Sequence, residues 1–225
     1  NGRRQRESAL AGRITFRGVV CDLPEDYSHI WGREFEHEES RILAHLETIL
    51  RGWATAGDVG RLNEAVNAFL HRNQTSYMWT VFLEIGAENP TTLGAILAPV
   101  LGEKAFLSHS DYAPAGIRLF GALHRTGTPE TRSWLEQLLV ELPTSLKVAK
   151  EKDNPDFDRA EWAQRCQNRL LGALEESRII SDAVRQLWKL AQAEDSLLPN
   201  PKRTGPRFTS RSLTEAELIR ERGVD

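Results

Sequence analysis

Apolar positions along this chain recur mostly at three- and four-residue steps, the period of an amphipathic helix. Between Arg33 and Ala54, Phe35, Ile42, Leu46, Ile49 and Trp53 share one face. Glu34, Glu36, Glu38 and Glu39 crowd the first turns of that stretch, where negative charge suits the helix dipole. Gly57 breaks the pattern, and Asp58 is placed to cap a second helix carrying Val59, Leu62, Val66, Phe69 and Leu70. Residues 76–87 differ. Tyr77, Met78, Trp79, Val81, Phe82, Leu83 and Ile85 leave no polar face, which predicts a central helix buried on several sides. Asn89-Pro90 ends it, and Leu93, Ile96, Leu97, Val100 and Leu101 predict a continuation that Pro99 kinks or divides.

A third pair of helices has clear punctuation. Pro114 sits where a first turn tolerates it, followed by Ile117, Leu119, Phe120 and Leu123. Gly127 closes that helix, Thr128 caps the next, and Pro129 takes its first position. Trp134, Leu135, Leu138, Leu139 and Leu142 form the next stripe, which Pro143 is expected to stop. The polar stretch 144–156, rich in lysine and aspartate, then predicts a loop or subdomain break. A fourth pair sets Trp162, Cys166, Leu170 and Leu174 against Ile180, Val184, Leu187, Trp188 and Ala191.

Both ends read differently. In residues 13–23, Ile14 and Phe16 alternate with polar residues before Val19, Val20 and Cys21, and Leu23-Pro24 ends the run. This predicts one strand, which cannot be stable alone and is expected either to pair with something outside this chain or to pack as an extended arm. Beyond Asp195, Pro199, Pro201, Gly205 and Pro206 mark a linker. Thr214 and Glu217 form a capping-box pair for a short last helix ending at Gly223. The expected fold is therefore all-α, with about four stacked helical hairpins. Residues 1–32 form a basic arm and connector, 33–195 the helical-repeat domain, and 196–225 a Pro-rich basic linker and terminal helix.

The hairpins open near Arg33, Thr75, Tyr112 and Phe157, a period of about 40 residues. Ser181-Asp182-Ala183-Val184-Arg185 is similar to the aspartate and Val-Arg step of HEAT repeats. On these features residues 33–195 resemble a HEAT or armadillo-type α-solenoid. That resemblance implies second helices lined up along a concave protein-binding surface. The run from Trp79 through Leu142 also resembles helical regions that follow the nucleotide-binding core in large bacterial signalling and defence ATPases. It implies one part of a multidomain assembly, with antiviral defence as the setting.

The chain has 225 residues, 40% of them hydrophobic, and a formal net charge of −3. This composition supports a sizeable core. No apolar run approaches the roughly 18 residues of a membrane span, and no signal-peptide core opens the chain. A cytoplasmic protein without membrane contact is the expectation. The first residue is Asn1 rather than methionine, in keeping with an excised part of something longer. Cys21 and Cys166 are too few and too far apart for a disulfide framework or a four-ligand zinc site.

Candidate chemistry is sparse. His37-Glu38-Glu39 resembles the start of a zincin helix, but the second histidine would fall at Arg41. Glu34 and His37 match the Glu-x-x-His spacing of di-iron bundles, which needs a second copy that the chain lacks. Ser108, His109, Ser110 and Asp111 offer hydroxyl, base and carboxylate, but such neighbours rarely converge as a triad and read as a helix-capping loop. His71 and His124 stand near helix ends, where a positive group suits the dipole. No phosphate-binding Gly-x-x-x-x-Gly-Lys loop occurs, and Gly57-Asp58-Val59-Gly60 lacks both lysine and a preceding strand. No catalytic, cofactor or metal residues are expected.

Charge is distributed unevenly. Residues 1–20 hold five arginines and one glutamate, a net of +4, and residues 196–213 hold one lysine, three arginines and no acids, again +4. The body between them is acidic. Arg3, Arg4, Arg6, Lys202, Arg203, Arg207 and Arg211, with Phe208, are the expected contacts for a partner. Trp31, in a connector rather than on a stripe, is the expected docking anchor. The reading is a non-catalytic protein–protein recognition or scaffold domain. One alternative is a nucleic-acid-associated helical subunit using the basic ends. Another is a small-molecule or enzymatic pocket between hairpins, with His109 and Asp111 as its polar pair.

Overall fold

The computed structural model describes residues 10–24, 38–72, 75–148 and 158–197. These are mostly helical, with one small two-stranded sheet. Strands β1 (Leu10–Phe16) and β2 (Val19–Pro24) precede helices α1 (Glu38–Ala56), α2 (Val59–Arg72) and α3 (Ser76–Glu88). An irregular stretch follows: a π turn at Pro90–Gly94, the short α4 (Ala95–Leu97) and a 3-10 turn at Ala98–Gly102. After it come α5 (Ala105–Ser108), α6 (Ala113–Thr126), α7 (Pro129–Val148), α8 (Arg159–Gly172) and α9 (Asp182–Ala193). The continuation past Asn89 is thus divided, as Pro99 requires.

The single strand expected over 13–23 is corrected to an antiparallel hairpin, in register Ile14↔Cys21 and Phe16↔Val19. Arg17 and Gly18 form its two-residue turn at φ of 53° and 76°, the doubly left-handed geometry that matches strand twist. Arg17 does not advertise such a turn as asparagine would, so the sequence hid the break. Ile14, Phe16, Cys21 and Leu23 are buried on one face, which packs onto the helices. The Arg17 guanidinium donates to Asn67 Oδ1 at 3.0 Å and to Asn63 Oδ1 at 2.5 Å on α2. Tyr112 Oη donates to the Pro24 carbonyl at 2.6 Å. The sheet is fastened to the helical body at both ends.

Helix α3 is the centre. Thr75 caps it, accepting from the Met78 amide at 3.3 Å, and every residue from Ser76 to Gly86 is buried. Its main neighbour is α6. Gly116 allows α6 to approach α5, since a Cβ there would meet the Phe106 carbonyl oxygen at 1.9 Å. Trp79 packs against Phe69 and Phe106 at ring separations of 4.9 and 5.0 Å. Helix α7 packs chiefly on α8 and less on α6.

Pro143 does not stop α7, which runs on to Val148. Proline cannot supply the amide that would bond to the carbonyl four residues earlier. That carbonyl is Leu139 O, and it accepts from Gln167 Nε2 of α8 at 3.2 Å. Leu142 and Leu146, on either side of the proline, are both buried. A neighbouring helix therefore supplies the missing donor, and apolar burial holds the last turn. Of the expected break at 144–156, residues 144–148 are helical and 149–157 lie outside the described residues. So do the expected linker and terminal helix beyond 197 and the Arg33–His37 start of the first helix.

Candidate functional site

Among the described residues, two cavities between the helices stand out. The larger, about 480 Å³, lies between α1, α2 and α3. Leu43, Leu46, Leu50 and Trp53 recur on one face of α1, and Ala65, Ala68 and Phe69 oppose them from α2. Met78 and Phe82 of α3 also line it. The small alanines keep the α2 side low, so a groove is left between the helices. Its polar lining is Arg61 and Glu64, with the Arg61 guanidinium 5.7 Å from the Trp53 ring centroid. Ile42, one turn before Leu46 on the same side of α1, is 66% exposed and extends the apolar surface.

The second cavity, about 350 Å³, is polar and lies between α3, α6 and the end of α8. Glu84, Glu88, Arg118 and Arg125 line it together with Ile117, Gly172 and Ala173. Arg118 Nη1 is 3.2 Å from Glu84 Oε1, and Arg51 of α1 pairs with both Glu88 and Glu47. Opposite charges here join helix to helix.

A third constellation is fully enclosed. His124, in the last turn of α6, has no solvent exposure, and its Nε2 lies 3.0 Å from Glu136 Oε1 of α7. Glu136 is 2% exposed and also accepts the backbone amides of Ile180 and Ser181, at 2.8 and 2.7 Å. The dipole role expected of His124 understates it: the ring helps to hold a buried carboxylate that ties three elements together. His71, by contrast, is exposed near the end of α2.

The Ser108–Asp111 cluster folds as a turn. His109 Nδ1 accepts the Asp111 amide at 3.3 Å, Ser110 Oγ donates to Asp111 Oδ1 at 3.1 Å, and Ser108 Oγ donates to the Lys104 carbonyl at 2.8 Å. His109 and Asp111 therefore engage the local backbone and each other's neighbours, and neither lines either cavity. Burial raises the thiol pKa of Cys166, with Arg169 opposing slightly. Burial and the adjacent Asp22 charge raise that of Cys21. Neither is the activated thiolate a nucleophile needs. Among the described residues no group of three or more His, Cys, Asp or Glu side chains could hold a metal ion, and no helix is long and apolar enough to cross a membrane.

Arg3, Arg4, Arg6, Trp31, Lys202, Arg203, Arg207, Phe208 and Arg211 all lie outside the described residues. The sequence reading missed the groove because its residues are ordinary stripe positions, and nothing in periodicity says that two stripes stop short of closing. A faint signal did exist for His124, which falls four residues after Phe120 on the apolar stripe of α6. Set against known protein families, curated proteins and solved structures, the chain matches none of them.

Proposed function

We propose that this chain is a protein-recognition domain whose docking surface is the groove between α1, α2 and α3. The occupant is an amphipathic helical segment of a protein partner, its apolar side chains seated on Leu43, Leu46 and Trp53 and its charged flanks facing Arg61 and Glu64. The observation that carries this reading is the groove itself: an apolar trough of about 480 Å³ with one cation and one anion on its lining. Helix-in-groove recognition uses this combination, apolar anchors for affinity and a sparse polar rim for register. A HEAT-like scaffold is the architecture proposed around it. In support, α3 and α6, the first helices of successive hairpins, pack on one another as stacked repeats do. The irregular stretch 90–102 takes the place of a regular second helix in that scheme.

The test is co-purification from the native host at moderate salt, with the native chain and an Ala65→Asp variant whose melting temperature is unchanged. A stoichiometric protein captured by the first and lost from the second supports the groove. The same protein captured equally by both overturns it. Nucleic acid retained only at low salt would transfer the function to the basic ends.

A further inference from the structure

We propose that α9 is a separately opening clip, and that Glu136 is the latch that holds it shut. The apolar attachment of α9 is narrow beside that of α3: Val184 and Ala191 are buried, Leu187 and Trp188 are partly buried against the core, and Leu190 is 60% exposed. Its hydroxyl cap from Ser181 and the Arg185–Asp182 pair are internal to its own first turn. Glu136 reaches it from α7. The carboxylate accepts the amides of Ile180 and Ser181, two groups at the helix start that have no partner within the helix. His124 of α6 fixes the same carboxylate from the other side. One buried carboxyl group thus ties the start of α9 to α7 and, through His124, to α6.

One further atom favours opening. Among the described residues Trp188 Nε1 of α9 is buried without a hydrogen-bond partner, so closure forgoes a bond that water supplies when the clip lifts. The hinge region is also tied to the polar cavity. Arg178, between α8 and α9, donates to the Arg125 carbonyl at 2.7 Å, and Ala173 lines the cavity beside Arg125. Lifting α9 leaves the lining of that cavity in place. It bares the slot that holds Ile179 and Val184, together with an anchored acceptor for a helix start. This second state needs no change in α3 or α6.

Hydrogen–deuterium exchange of the intact chain, read by mass spectrometry, tests this directly. In the native chain, amides over 180–193 are expected to exchange at least tenfold faster than those over 79–86. Glu136→Gln keeps the shape and weakens the acceptor, so exchange over 180–193 should quicken about a further tenfold with 79–86 unchanged. Val184→Ala loosens the clip without touching the latch and should quicken the same set, which covers the case in which the Glu136 variant fails to fold. Equal rates for the two segments in the native chain would overturn the proposal. So would a Val184 variant that accelerates both segments together.

Discussion

Helices α3 and α9 share a fold but are held in it by different physics. Around α3, every side chain from Ser76 to Gly86 is buried, aromatic rings meet edge to face, and α6 lies along it. Helix α9 is strongly amphipathic, buries two residues fully and Leu187 and Trp188 in part, and is tied at its start by a carboxyl group from another helix. Dispersion and burial are spread over many atoms, so the first helix should resist local opening. Hydrogen bonds to one acceptor are few and directional, so the second can open alone. The contrast places stability at the centre and leaves mobility for the C-terminal edge.

The largest blow to the central region should come from Trp79→Ala, which removes the largest fully buried side chain among the described residues. A loss of about 3–5 kcal/mol in global stability is expected, read as a fall in denaturation midpoint. A midpoint shift near zero would erase the distinction between α3 and α9. Next in size is Gln167→Leu, which removes the donor to Leu139 O and leaves that carbonyl unmatched beside Pro143. A cost of about 1–3 kcal/mol is expected. Amide exchange over 144–146 should quicken with it, and an unaltered α7 would show that burial of Leu142 and Leu146 suffices. Val184→Ala should cost on the order of 1–2 kcal/mol, felt mainly in α9; a fully cooperative loss by calorimetry would mean the two regions are one unit.

The smallest expected effect concerns pH. The buried thiols of Cys21 and Cys166 both titrate above the ordinary thiol range when folded. Because the folded state keeps these protons to higher pH than the unfolded chain, their contribution is whole below the ordinary thiol pKa. It is lost as pH rises through the raised values. Stability measured across mildly alkaline pH should therefore decline slightly, and Cys166→Ala should flatten part of that decline. An alkaline slope identical in the variant would remove Cys166 as its source. Thiol reagents should label both positions only under unfolding conditions, and Cys21, behind the sheet, is no nearer solvent than Cys166.

Much of the helical framework was legible because its determinants are local. Asp58 and Thr128 cap helices where capping chemistry required, and Thr75 and Ser181, at expected helix openings, prove to be caps as well. The all-apolar run at 76–87 became the buried centre, and Pro99 divided its stretch. Arg17-Gly18 failed as a readable turn because its left-handed backbone is set by strand pairing as much as by residue type. The groove and the latch were illegible for a different reason. Each depends on residues far apart in sequence, such as Leu46 with Ala65, or Glu136 with Ile180 forty-four positions later.

The sequence by itself determined where helices form, where most of them end and which face of each is apolar, because propensity, capping and periodicity act within a turn or two of the chain. Tertiary structure alone decided that α7 survives Pro143, that His124 and Glu136 share a buried site, and that α1 and α2 leave a trough between them. Those outcomes turn on which neighbour supplies a donor, an acceptor or a filling side chain. That supply becomes definite only when distant helices are packed together.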